Sequence, residues 1–354
     1  MDCTPYKFDE TVGILLSDAL SFDDREKLPK LWTAAFETVT KRLYSFSVVI
    51  KVEADEINYL INGGLLYQRD TCIWNANLAL EDIVQLCRKG ENFIKLGSIY
   101  ISVYADFHDG CFTIRRNELF TRFFSFLSQF FSTDTLVYID PQGAKPILPE
   151  IYNFLLADSV IKNYAVIFHT DVLPTETINF VGQKANQLKG LKLELLSGWT
   201  SDIWKSLETA FAAGNISFLT LHVPLCHLNN SQPVTMELIR PIFERWESNK
   251  GKEEIAFCAN SRSSLLDDVR TFMNHLWMME RKVTTIQELN YTIFDYRLID
   301  GVFDLIVSFD HSLRAISIFT RSASKTDRID RFTLYWKSLN SYSFSKRHLH
   351  GLRL

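Results

Sequence analysis

No apolar run in the 354-residue chain approaches the roughly twenty residues that a membrane-spanning helix needs, and no positively charged apolar leader precedes its first helical pattern. The expectation is a soluble, intracellular protein, cytoplasmic or nuclear, with no membrane partner. Basic residues are in no excess: 38 Lys and Arg face 42 Asp and Glu, a formal net charge of -4. That balance lacks the electrostatic footprint of a nucleic-acid binder and argues against such a partner. The 6 cysteines, Cys3, Cys72, Cys87, Cys111, Cys226 and Cys258, form no Cys-x-x-Cys pair. In a reducing compartment they are expected to be free thiols, mostly buried as small apolar side chains. Phosphate loops, dinucleotide fingerprints, zinc-spaced Cys and His clusters, His-Glu-x-x-His and Gly-x-Ser-x-Gly are all missing. Without them the expectation is a protein that is not an enzyme and holds no cofactor or metal.

What the chain has is apolar substance, 47% hydrophobic against 23% charged, enough to bury a large core. Its first 44 residues read as a helical module. Pro5 sits just inside a helix start with Thr4 as the natural cap, and Phe8, Val12, Leu15 and Leu16 follow at spacings that share one face. After a polar break, Leu28, Leu31, Trp32, Ala35 and Phe36 repeat the helical spacing, and Lys41 and Arg42 suit a helix C-terminus. A module this small has too little interior to cover its own apolar faces, so it must lean on the following domain or on a partner.

The pattern Met1-Asp2-x-x-Pro5-Tyr6-x-Phe8-x-x-x-Val12, then Leu31-Trp32 and a basic Lys41-Arg42 leading into an apolar run, resembles the divergent F-box-like proteins expanded in nematodes. The usual Leu-Pro-x-Glu opening is Thr4-Pro5-Tyr6-Lys7 here. The resemblance implies docking on the Skp-type linker subunit of a cullin-type (SCF) ubiquitin ligase through Pro5, Tyr6, Phe8, Val12, Leu15, Leu16, Leu28, Leu31 and Trp32. These residues would act by burial in a groove and not by chemistry. An N-terminal helical cap with no partner is the plainer reading of the same residues.

From residue 45 to 132 the text turns to mixed strand and helix. Ser47–Val52 is β-branched, while Ile99–Tyr104, Asp109-Gly110 and Cys111–Ile114 predict a hairpin. Asn77 is placed to cap a helix with Leu80, Ile83, Val84 and Cys87, and Asn117 one with Phe120, Phe123, Phe124, Leu127, Phe130 and Phe131 on a single face. A phenylalanine stripe of that density is read as core.

Residues 133 to 354 carry the clearest regularity. Ile161-x-x-Tyr164-x-Val166-x-Phe168, Leu188-x-x-Leu191-x-Leu193-x-Leu195 and Ile216-x-x-Leu219-x-Leu221-x-Val223 start 27 (188 minus 161) and 28 (216 minus 188) residues apart. A shorter copy lies at Ile255-x-Phe257-x-Ala259, and Leu136–Ile139 precedes the set. Thr175, Thr200 and Thr235 each stand ahead of an apolar helical run. A strand and a helix repeating at this length point to an irregular, leucine-rich-repeat-like α/β solenoid, and the same alternation also fits a doubly wound sheet. A long helix through Leu266, Val269, Phe272, Met273, Leu276 and Met279 leads to strands at Thr292–Tyr296, Val302–Phe309, Ala315–Thr320 and Phe332–Trp336, a terminal antiparallel cap.

The fold class expected is thus α/β, with an F-box-like helical module (1–44), a connecting region (45–132) and a repeat-like scaffold with a β meander (133–354). The function expected is a non-enzymatic adaptor that joins a ubiquitin-ligase linker to an unknown target protein. A stand-alone protein-binding scaffold is the alternative. A hydrolase built on Asp106, His108 and Asp109, whose carboxylates flank a histidine, is a minor one, because Asp and Gly at 109–110 already have a turn to serve. Cys226-His227 is a loop pair with no further ligands near it in sequence.

Overall fold

A computed structural model describes residues 33, 37–39, 42–53, 56–65, 75–89, 93–102, 110–133, 135–142, 144–167, 174–194, 201–212, 216, 218–222, 234–252, 255–274, 279–286, 291–298, 303–311 and 314–322. The chain is mixed α/β and divides into two compact units, Met1–His169 with Pro174–Phe180, and Thr170–Leu173 with Val181–Leu354. Among the described residues no helix is long and apolar enough to cross a membrane.

In the first unit, β1 (Leu43–Val52) is the sheet's organising strand. Phe46, Val48, Ile50 and Val52 are buried, while Ser47, Val49 and Lys51 between them are half-buried, the period-two signature of two unlike faces. A turn closed by Glu53 N–H on the Glu56 carbonyl (2.9 Å) returns the chain as β2 (Ile57–Leu65), antiparallel to β1. On its other side β1 pairs in parallel with β4 (Phe93–Ile101), which pairs in parallel with β6 (Leu136–Ile139), and that with β7 (Asn163–Ile167). The short β3 (Asn75–Leu78) and β5 (Phe112–Ile114) both pair with β2. The expected hairpin is therefore corrected. β4 has both edges occupied by β1 and β6, so β5 can only find its partner on β2.

Among the described residues this unit's helices include α1 (Leu80–Lys89), α2 (116–130), α3 (Leu148–Ala157) and the start of α4 (Thr175–Lys184), and residues 37–39 ahead of β1 are helical as well. α1 is not capped by Asn77, which lies in β3. Instead Asp82 reaches back to accept the Ala79 N–H at 2.8 Å. Within α2 a π-helical turn at Leu119–Phe124 lets two consecutive residues, Phe123 and Phe124, both be buried. Phe123 meets Tyr59 of β2 (ring centroids 4.7 Å) and Phe124 stacks on Phe154 of α3 (5.0 Å). The phenylalanine stripe is core only in part, since Phe120, Phe130 and Phe131 are half-buried.

Tyr152 of α3 and Thr177 of α4 share a hydrogen bond of 2.7 Å, with both residues buried, and burial pushes the tyrosine hydroxyl upward in pKa. Tyr152→Phe should cost about 1–3 kcal/mol by leaving the Thr177 hydroxyl unsatisfied, whereas Tyr152→Phe with Thr177→Val should be markedly less destabilised than the two single changes summed. Urea unfolding of the four proteins checks this. Simple additivity would remove the argument for a coupled pair.

In the second unit, β8 (Gly190–Glu194), β9 (Phe218–His222) and β10 (Ala256–Asn260) are parallel neighbours in chain order, with Leu193 opposite Leu221 and Leu221 opposite Ala259. The 28-residue offset marks β8 and β9, the shorter copy falls in β10, and Val166 lies on β7, opposite Ile139 in the first unit. Each crossover carries a helix, α5 (Ser201–Ala212) and α6 (Met236–Ser248), and the general right-handedness of such connections implies one side for both. Ile203, Leu207 and Ala210 give α5 its buried stripe, and Leu238, Ile239, Ile242, Phe243 and Trp246 give α6 its own. Arg245 donates to the Ile216 carbonyl at 3.0 Å, so a buried guanidinium ties α6 to the chain entering β9.

α7 (Ser264–Asn274) is shorter than expected, because Met279 already opens a strand. That strand, β11 (Met279–Ile286), starts an antiparallel run through β12 (Tyr291–Leu298), β13 (Phe303–Asp310) and β14 (Ala315–Ser322), and β14 pairs antiparallel with β10. Phe332–Trp336 lies outside the described residues.

Candidate interaction face

The first unit's sheet has one face for the helices. Phe46 of β1 meets Phe130 of α2 (5.7 Å), Tyr59 of β2 meets Phe123, and Tyr164 of β7 meets Phe180 of α4 (5.3 Å). Phe180 also stacks on Tyr152 of α3 (4.5 Å), and Arg122 of α2 pairs with Glu81 of α1 at 3.0 Å. Among the described residues these contacts gather α1 to α4 on the side of Phe46, Tyr59 and Tyr164.

The opposite face follows from register. One row across the strands reads Asn62, Ser47, Ser98, Leu136, Asn163. The next reads Leu60, Val49, Tyr100, Tyr138, and a third, toward the far end of β1, reads Thr113, Asn58, Lys51. A bulge makes these rows possible. Phe46 pairs with Leu96 and Ser47 with Ser98, so Gly97 is the extra residue, and Leu96 and Ile99 both reach the helix side although they stand three apart.

Within the face the polar groups are organised crosswise. Ser98 Oγ donates to Ser47 Oγ (2.8 Å), Thr113 Oγ1 donates to Asn58 Oδ1 (2.9 Å), and the Tyr100 and Tyr138 rings stack at 4.9 Å and 18°. Asn163 Nδ2 donates to the Thr133 carbonyl, and Lys51 Nζ lies 3.1 Å from a Glu53 carboxylate oxygen. The Asn62 side-chain oxygen is buried and accepts no hydrogen bond. Beyond the carboxyl ends of β4 and β6, where α/β sheets commonly hold ligands, Asp140 accepts from Ser102 Oγ (3.2 Å) and from the Gln142 N–H (3.1 Å). That carboxylate is 4% exposed and closes a turn. Ser98 and Tyr138 are buried, the rest of the first two rows is half-buried, and Thr113 at the end of the third row is exposed.

The second unit also alternates apolar and polar rows, with Lys192, Ser317 and Ser308 of the polar row themselves buried. Leu191, Leu193, Leu219, Leu221, Phe257, Ala259, Ile316 and Ile318 are buried on one face, and the row Lys192, Thr220, Cys258, Ser317, Ser308 runs across the other. Ser317 Oγ donates to Cys258 Sγ at 3.4 Å. Burial pushes the thiol from its ordinary 9.0 up to about 11, against the opposing pull of the Ser317 hydrogen bond and the Lys192 charge, and with Asp310 adding to the rise. Between these values the fold keeps a proton that the unfolded chain has lost, so stability falls as pH rises from about 9 to about 11. Cys258→Ala should show a shallower decline over that window in pH-dependent urea unfolding. An unchanged slope would mean that the thiol does not titrate as its surroundings dictate. Cys87 and Cys111 are exposed, contrary to the expectation of mostly buried thiols. Cys87 lies in the last turn of α1 and Cys111 just ahead of β5, and both should label with a thiol reagent before Cys258.

All nine residues of the expected linker-docking set, Pro5, Tyr6, Phe8, Val12, Leu15, Leu16, Leu28, Leu31 and Trp32, lie outside the described residues. So do Asp106, His108, Asp109, Cys226 and His227. Among the described residues no group of three His, Cys, Asp or Glu side chains is placed to hold a metal ion. The polar rows were not anticipated from sequence, although the alternation Ser45, Ser47, Val49, Lys51 against Phe46, Val48, Ile50 signals them in β1. Compared with known proteins, the chain matches no family model, no curated protein and no solved structure.

Proposed function

We propose that this chain is a non-enzymatic, intracellular protein-interaction adaptor, in which the F-box-like N-terminal residues dock on a Skp-type linker of a cullin-type ubiquitin ligase and the sheet presents a target protein. The observation that carries this reading is the one-sided layering of the first unit. Among the described residues helices α1 to α4 gather on the Phe46 side, and the other side carries rows of amide, hydroxyl and tyrosine groups in register, chemistry that suits recognition. The leucine-rich-repeat-like comparison rests on the same fact, since β1, β4, β6 and β7 are parallel neighbours in chain order. Such an arrangement stacks units side by side and gives one long surface to a partner.

The test is capture of the purified full chain by a purified linker subunit, read by calorimetry or surface resonance. Saturable binding at micromolar concentration or tighter is the expected result. With no binding at tens of micromolar the ligase role falls, and the chain is then a protein-binding scaffold whose first residues only cap the fold.

A further inference from the structure

We draw no further inference here: the strongest candidate, the patch of half-buried phenylalanines Phe120, Phe126, Phe130, Phe131 and Phe154 on α2, α3 and the turn after α2, is an apolar surface for which nothing in the structure shows what covers it.

Discussion

Trp246→Ala is expected to lower the unfolding free energy by about 3–5 kcal/mol, the usual range for truncating a fully buried aromatic. Trp246 is 0% exposed and among the largest side chains sealed in the molecule. Its helix has particular need of it. Pro241 stands inside α6 and has no N–H to give the Glu237 carbonyl, so the helix depends on the packing of its apolar stripe more than on its own hydrogen bonds. Phe243 from that stripe meets Phe272 of α7 at 5.7 Å, which spreads the damage of a cavity to the next helix. Urea unfolding followed by far-ultraviolet circular dichroism measures the change, with the exposed Glu244→Ala as a control expected within about 0.5 kcal/mol of the parent. A loss under about 1 kcal/mol at Trp246 would mean that α6 is not a load on the second unit's core.

The second large effect concerns binding. If the opening residues are a linker-docking module, Pro5→Ala with Leu16→Ala should weaken linker capture at least about thirtyfold, roughly 2 kcal/mol, because anchor side chains at such interfaces each commonly contribute on that order. Thermal unfolding should hardly move, since a groove on the partner can bury only what the chain itself leaves uncovered. The two readouts together separate the readings. Binding lost with stability kept supports docking, whereas equal losses in both point to a helical cap.

Much of the scaffold was legible because strand and helix periods differ. The 27- and 28-residue offsets mark β7, β8 and β9, and Phe257 and Ala259 of the shorter copy fall in β10. Several readings failed, and one strand went unread, for identifiable reasons. Cys111–Ile114 follows Ile99–Tyr104 closely and has a turn between, so local rules pair them, yet the parallel neighbours of β4 take its edges first. The apolar spacing of Leu276 and Met279 continues the period of α7, but β11 takes Met279 into a ladder opposite Leu298. β2 went unread because Asn58, Asn62 and the Gly63-Gly64 pair suggest a loop, and only β1 beside it makes Ile57, Tyr59 and Ile61 a buried row. The interaction face was harder still. Ser98 and Tyr100 share it only by virtue of the bulge at Gly97, which shifts the alternation of β4 by one, and a face assembled across several strands has no contiguous signature in the sequence.

The bulge at Gly97 falls where the β4–β6 ladder begins. Ahead of it, Phe93–Leu96 has β1 as its one ladder partner among the described residues, and β6 joins β4 only from Ser98 onward. Just ahead of β6 the Thr135 hydroxyl donates to the Leu96 carbonyl at 3.0 Å, so a side chain takes the place of a backbone rung there. The Leu96 carbonyl is therefore no open acceptor for a strand from another molecule.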